Sequence, residues 1–74
     1  MSQRLKMRLK VEPGSIVRVL VAMNKRGFEP AAIVAKKQAD LYHVEFELDE
    51  SKPTVQLLRA LERLFDVESV EVVS

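Results

Sequence analysis

The feature that most constrains this chain is an alternating segment that passes through a tight turn directly into an amphipathic helix. Basic and apolar residues alternate from Arg4 to Val11, the period-two pattern of a strand buried on one face. Pro13 and Gly14 then predict a turn. Apolar residues recur with helical spacing from about Ser15 to Arg26, and Gly27 predicts the helix end.

Three further strands and a second helix follow. Small apolar residues occupy both faces of residues 28–37, residues 41–48 alternate, and residues 67–73 form a last strand. The second helix carries an apolar stripe that comprises Leu57, Leu58, Leu61, Leu64 and Phe65, with Ser51 as its N-cap. The order β-α-β-β-α-β predicts an α+β fold of the ferredoxin-like class, a four-stranded antiparallel sheet with two helices on one face.

Composition narrows the functional classes. A chain of 74 residues makes one domain, residues 1–74, with so small a core that oligomerisation is expected. The absence of cysteine excludes disulfides and thiol metal sites, and the net charge of +1 gives no overall field for nucleic acid. Neither a membrane-spanning run nor a signal-peptide pattern is present, so we expect a cytoplasmic protein without membrane contact.

The face of the sheet away from the helices is expected to be charged and mixed. In the predicted topology the first and third strands are central, so the basic column of the first lies beside His43, Glu45 and Glu47, with Glu71 on its other side. RNA-recognition modules of this fold stack bases on central-strand aromatics. Tyr42 and Phe46 share the apolar face of their strand, so we place them in the core and disfavour nucleic-acid binding.

Catalysis is not expected. His43 is the only histidine and lies on the open face, where water is not excluded. Glu45 and Glu47 have basic neighbours that hold them ionised. We therefore predict a non-enzymatic protein with no catalytic residue, metal site or cofactor.

Three segments together resemble an ACT domain. They are Pro13 to Leu20, Arg26 to Phe28 and Leu64 to Val70, and the likeness extends from about Leu5 to Val73. The similarity is strongest to the small, regulatory subunit of acetolactate synthase, and the short chain favours the isozyme II type.

The resemblance implies a domain that dimerises side by side through its second strands and activates the thiamine-diphosphate-dependent large subunit in branched-chain amino acid biosynthesis. Sensing members bind a branched-chain amino acid between the first turn of one chain and the second strand of its neighbour. By position, the effector-binding residues are Val11, Glu12, Pro13, Gly14, Ser15 and Ile16 of one chain with Glu29, Pro30 and Ala31 of the other. The dimer interface is Ala32, Ile33, Val34 and Ala35.

Two positions depart from the sensing pattern. Val11 stands where ligand-binding ACT domains commonly carry Asp or Asn, and Glu29 stands where sensing subunits usually carry Asn. Val11 supplies no polar contact, while Glu29 repels a carboxylate and pairs with an ammonium group. We therefore favour assembly and activation over feedback sensing. The alternatives are a free-standing ACT-domain amino-acid sensor that regulates another protein and a small RNA-binding module.

Overall fold

Six elements follow one another in the computed structural model, which describes residues 3–49 and 52–73. Their bounds are β1 Gln3–Lys10, α1 Ser15–Lys25, β2 Ala32–Gln38, β3 Leu41–Leu48, α2 Val55–Glu62 and β4 Val67–Val72. The predicted order and fold class are confirmed. The last strand ends one residue earlier than expected, and α1 ends at Lys25 with Arg26 as its cap.

The four strands form one antiparallel sheet in the order β2-β3-β1-β4. Residues directly opposite each other share a face of the sheet. Leu5 lies opposite Phe46, whereas Lys6 lies opposite Glu45 on one side and Glu71 on the other. The predicted central position of β1 and its charged open face are therefore confirmed.

Both helices contribute buried residues to the apolar face of the sheet. Among the described residues, the core contains twelve buried apolar side chains, which are Leu5, Met7, Leu9, Val19, Ala22, Met23, Phe28, Val44, Phe46, Leu48, Leu57 and Leu61. Phe46 lies in the core as predicted, and Tyr42 packs half-buried against it.

The second strand starts later than predicted because the chain first wraps around the end of α1. Gly27 takes a left-handed conformation with φ +79°, and its N–H donates to Asn24 O. The N–H of Phe28 donates to Met23 O at 3.0 Å, and the Phe28 ring is buried. This pair of bonds satisfies carbonyls at the helix end. Phe28 therefore closes the helix, and β2 begins only at Ala32.

The second helix is shorter than the apolar stripe suggested. α2 ends at Glu62, and a turn carries the chain to β4, so Leu64 and Phe65 lie beyond the helix. Phe65 is 75% exposed, which makes its assignment to the buried stripe wrong. Its ring lies beneath the Lys10 ammonium, 4.2 Å from Nζ to the ring centroid. The cap position is occupied by Thr54; the expected cap, Ser51, lies outside the described residues.

We predict that Gly27→Ala lowers the free energy of unfolding by about 1 kcal/mol, because a side chain disfavours positive φ. The space itself is adequate, since a Cβ at this position would lie 3.4 Å from Lys52 Nζ. Chemical denaturation measures the loss. Lys25→Ala, at the exposed helix end, is the control and should stay within about 0.5 kcal/mol of the parent. Equal stability of the Gly27→Ala variant would contradict the helix-end assignment.

Candidate functional site

The turn between β1 and α1 is built around Gly14. Gly14 has φ +75° and occupies the N-cap position of α1, where no side chain caps the helix. The N–H of Ser15 donates to Glu12 O at 3.1 Å, and that of Arg18 donates to Gly14 O at 2.9 Å. The first N–H groups of a helix lack intrahelical partners and carry the positive end of its dipole. The turn therefore presents a weakly positive backbone surface.

Arg18 adds a full positive charge to this turn. Its Nε donates to Asp66 Oδ2 at 2.5 Å, and the Asp66 side chain is buried. A Cβ built at Gly14 would lie 3.3 Å from Arg18 Nη1, so the guanidinium lies against the turn. The hydrogen bond and charge of Asp66, with the charge of Glu12, raise the pKa of Arg18 above its ordinary value. The cation is therefore fixed beside the first turn of α1 at every physiological pH.

Asp66 also joins the elements that meet at this end of the molecule. Its carbonyl oxygen accepts a hydrogen bond from the backbone N–H of Lys10 at 2.7 Å. One residue thus contacts the last residue of β1, the first turns of α1 and the start of β4. Sequence reasoning missed this connection. The only signal was an acidic residue between the apolar Phe65 and Val67.

Ser15 holds the one buried side-chain oxygen that lacks a hydrogen-bond partner in the described part of the chain. The residue is 1% exposed and is the first residue of α1. Gly14 rather than Ser15 stands at the cap, so the hydroxyl is not used to cap the helix. A buried hydroxyl without a partner is destabilising.

The effector residues implied by the resemblance do not come together within one chain. Val11 to Ile16 lie at the start of α1, and Glu29 to Ala31 follow its end. An 11-residue helix separates the two groups, a length of roughly 16 Å. Val11 and Pro30 are half-buried, whereas Glu12, Glu29 and Ala31 are exposed. A site that combines both groups requires a second chain, and this assignment stays a prediction.

β2 presents an open edge. It pairs with β3 on one side and is the outermost strand on the other, and all seven of its residues are exposed. Ile33 lies opposite Phe46 and so faces the helix side, whereas Val34 lies opposite Glu45 on the open face. These two residues are 44% and 54% exposed. Unpaired strand edges with apolar side chains favour pairing with another chain.

The open face of the sheet forms a shallow concave surface of about 500 Å³. Lys6, Arg8 and His43 line it together with Glu45 and Glu71, so both signs of charge alternate across it. Among residues 3–49 and 52–73, no three histidine or acidic side chains converge as a candidate metal site. Neither of the described helices is long and apolar enough to cross a membrane.

We predict that Ser15→Ala raises the free energy of unfolding by about 1 kcal/mol, because it removes a buried hydroxyl without a partner. Chemical denaturation of the parent and the variant measures the difference. Ser69→Ala is the matched control, since the Ser69 hydroxyl accepts a hydrogen bond from Arg8 Nε at 3.0 Å and its removal should not stabilise the protein. A destabilised Ser15→Ala variant would show that the Ser15 hydroxyl is engaged.

Comparisons with known proteins agree with the βαββαβ fold. A family model described as "ACT domain" matches residues 11–70. No curated protein sequence gives a significant match. The chain is similar to the ACT domain from GTP pyrophosphokinase of Chlorobium tepidum. The crystal structure of that domain has a TM-score of 0.80 at 12% identity, covering 99% of this chain and 97% of that one. Its solution structure has a TM-score of 0.81 at 13% identity, covering 100% and 86%.

A second similar structure is the ligand-free regulatory subunit of aspartate kinase from Thermus thermophilus. It has a TM-score of 0.74 at 20% identity, and the match covers 99% of this chain and 50% of that subunit. The chain thus spans about half the length of the aspartate kinase subunit. At these identities the likeness establishes the fold.

Proposed function

The chain belongs to the ACT domain family, whose members are small regulatory domains. We propose that it is the non-catalytic regulatory subunit of an acetolactate synthase of isozyme II type. In this role it dimerises, docks on the thiamine-diphosphate-dependent large subunit and stabilises the active arrangement of that subunit. The open edge of β2 carries the proposal, because it offers a place for self-association. The identity of the catalytic partner rests on the motif resemblance of Pro13–Leu20 and Arg26–Phe28.

Pairing of two β2 strands accounts for the composition of that strand. Two copies related by a two-fold axis would continue the sheet from one chain into the other. On the helix side, Ile33 and Ala35 would extend the apolar layer across the junction, and Val34 would be covered on the open face. Pro30 lacks an N–H and confines the pairing to the residues after it. Lys36 and Lys37 limit the overlap at the far end by charge repulsion.

We predict that Val34→Asp weakens the dimer at least about tenfold, because it places like charges and a desolvated carboxylate in the strand pairing. Val17→Asp is the matched control, since Val17 lies on α1 and is similarly exposed, at 60% against 54% for Val34. Light scattering across a range of concentrations measures the mass. An equal effect of the two substitutions, or a monomeric parent chain, would contradict pairing through β2.

Binding to the proposed catalytic partner is tested directly by measuring the mass of a mixture of the two proteins. The chain is combined with a purified acetolactate synthase large subunit of isozyme II type and examined by light scattering. We expect a complex heavier than either component. An unchanged pair of masses would reject this catalytic partner while leaving the β2 dimer to be judged separately.

The second candidate function is a free-standing amino-acid sensor. The turn at Gly14 favours it, because backbone N–H groups and the fixed Arg18 guanidinium both suit a ligand carboxylate. A branched-chain amino acid would place its side chain against apolar Val11 and its ammonium group near Glu29 of the neighbouring chain. Valine, leucine and isoleucine are the ligands to test. At about 100 times its Kd, a ligand adds about 2.7 kcal/mol of stability. Absence of a thermal shift with all three would reject a sensor of branched-chain amino acids, and absence of a shift with any amino acid would reject the sensor altogether.

A further inference from the structure

A groove lies on the helix side of the sheet, between the end of α1 and the start of α2. It has a volume of about 660 Å³ and is lined by Arg26, Phe28, Lys52, Pro53, Val55, Gln56, Leu57 and Arg59. These residues define the basic groove. None of them belongs to β2 or to the turn at Gly14. The basic groove is therefore separate from both surfaces used in the proposed function.

The apolar part of the basic groove is well defined. Phe28 and Leu57 are almost fully buried and form its base. Val55 stands beside them and is 57% exposed, although it begins a helix whose other face packs on the core. The exposed Val55 side chain offers a contact for one apolar side chain of a partner.

Three cations surround this apolar base. Arg26 comes from the end of α1, Lys52 from the segment before α2, and Arg59 from one turn inside α2. None of the described residues that line the groove carries a carboxylate side chain. The whole chain carries a net charge of only +1. The positive charge of the basic groove is therefore a local feature.

Two of the cations are held in place before any partner binds. Lys52 Nζ donates to Gly27 O at 2.6 Å and lies 5.4 Å from the centroid of the Phe28 ring. Arg26 Nη1 donates to Ala22 O at 3.3 Å. Side chains that are already ordered lose less conformational entropy on binding. The first turn of α2 adds the positive end of its helix dipole to the same region.

We propose that the basic groove docks an acidic segment of a partner protein, in which carboxylates flank an apolar side chain. The carboxylates pair with the exposed Arg26 and Arg59, and the apolar side chain packs on Val55. Charge complementarity and the exposed Val55 together select a peptide, because a simple anion would leave the Val55 side chain uncovered. The inference adds a second surface to the proposed function and rests on it only in requiring a protein partner.

The test uses the full chain and a fluorescent synthetic peptide in which glutamates flank a central pair of leucines. Fluorescence anisotropy measures its Kd, and a peptide with glutamine in place of every glutamate is the matched probe. We expect the glutamate peptide to bind at least about tenfold more tightly than the glutamine peptide, with an affinity that falls as salt is added.

Substitutions in the basic groove test whether the glutamate peptide binds there. Arg26→Gln combined with Arg59→Gln should weaken glutamate-peptide binding at least about fivefold. Arg59→Gln alone, which keeps the Arg26 bond to Ala22, should show part of that loss if the double variant is unstable. Arg63→Gln is the matched control, because Arg63 is exposed at the end of α2 and does not line the basic groove. It should change Kd less than about twofold.

Three outcomes would overturn the inference. The first is equal binding of the two peptides, and the second is an equal effect of Arg63→Gln and Arg59→Gln. The third is displacement of the glutamate peptide by inorganic phosphate or a single-stranded oligonucleotide at equal concentration, which would assign a general anion surface. Failure of the β2 dimer is distinguished from failure here, because the Val34→Asp chain should bind the glutamate peptide as the parent does.

Discussion

The structure depends on the antiparallel pairing of β1 with β3, which sets which side chains are buried. In this register Leu5 faces Phe46 and Met7 faces Val44, so the apolar residues of two central strands form one continuous surface. A shift of a single residue would place that surface in water and the charged residues under the helices. The opposite charges on the open face, such as Lys6 beside Glu45, favour the same register.

Polar contacts at both ends hold the two helices over this surface. Arg18 and Asp66 join the start of α1 to the segment after α2. Lys52 joins the segment before α2 to the carbonyl of Gly27 after α1. These contacts place Arg18 beside the turn at Gly14 at one end of the helix pair, and Lys52 beside Gly27 at the other end. The turn at Gly14 lies at one end and the basic groove at the other, while β2 is an outermost strand of the sheet.

Patterns within short segments of the sequence predicted the features that depend on neighbouring residues, such as the buried face of a strand and the end of a helix. The alternation in β1 and β3 identified the buried face, and Gly27 marked the end of α1. The start of β2 was misplaced because Phe28, an apolar residue typical of strands, packs back on the helix it follows. Phe65 was misplaced because the turn after Glu62 rotates it away from the apolar stripe.

Contacts between residues far apart in the sequence could not be predicted from such patterns. Arg18 and Asp66 are 48 positions apart. The spacing of residues around either one does not indicate that the two form a pair. The candidate effector site poses a stronger limit, because its two halves lie at opposite ends of α1 in one chain. A site that combined the two groups would require a second chain, and a single sequence does not specify how two chains meet. The basic groove was missed for a similar reason, since its cations come from three separate segments.

In the proposed function, this ACT domain acts by binding and activating a catalytic subunit. The most direct measurement is the rate of acetolactate formation by an isozyme II large subunit as the chain is added at increasing concentration. We expect a rate that rises and saturates with the parent chain, and a higher concentration requirement with Val34→Asp than with Val17→Asp. A rate that stays constant over the whole titration with the parent chain would contradict the proposed function.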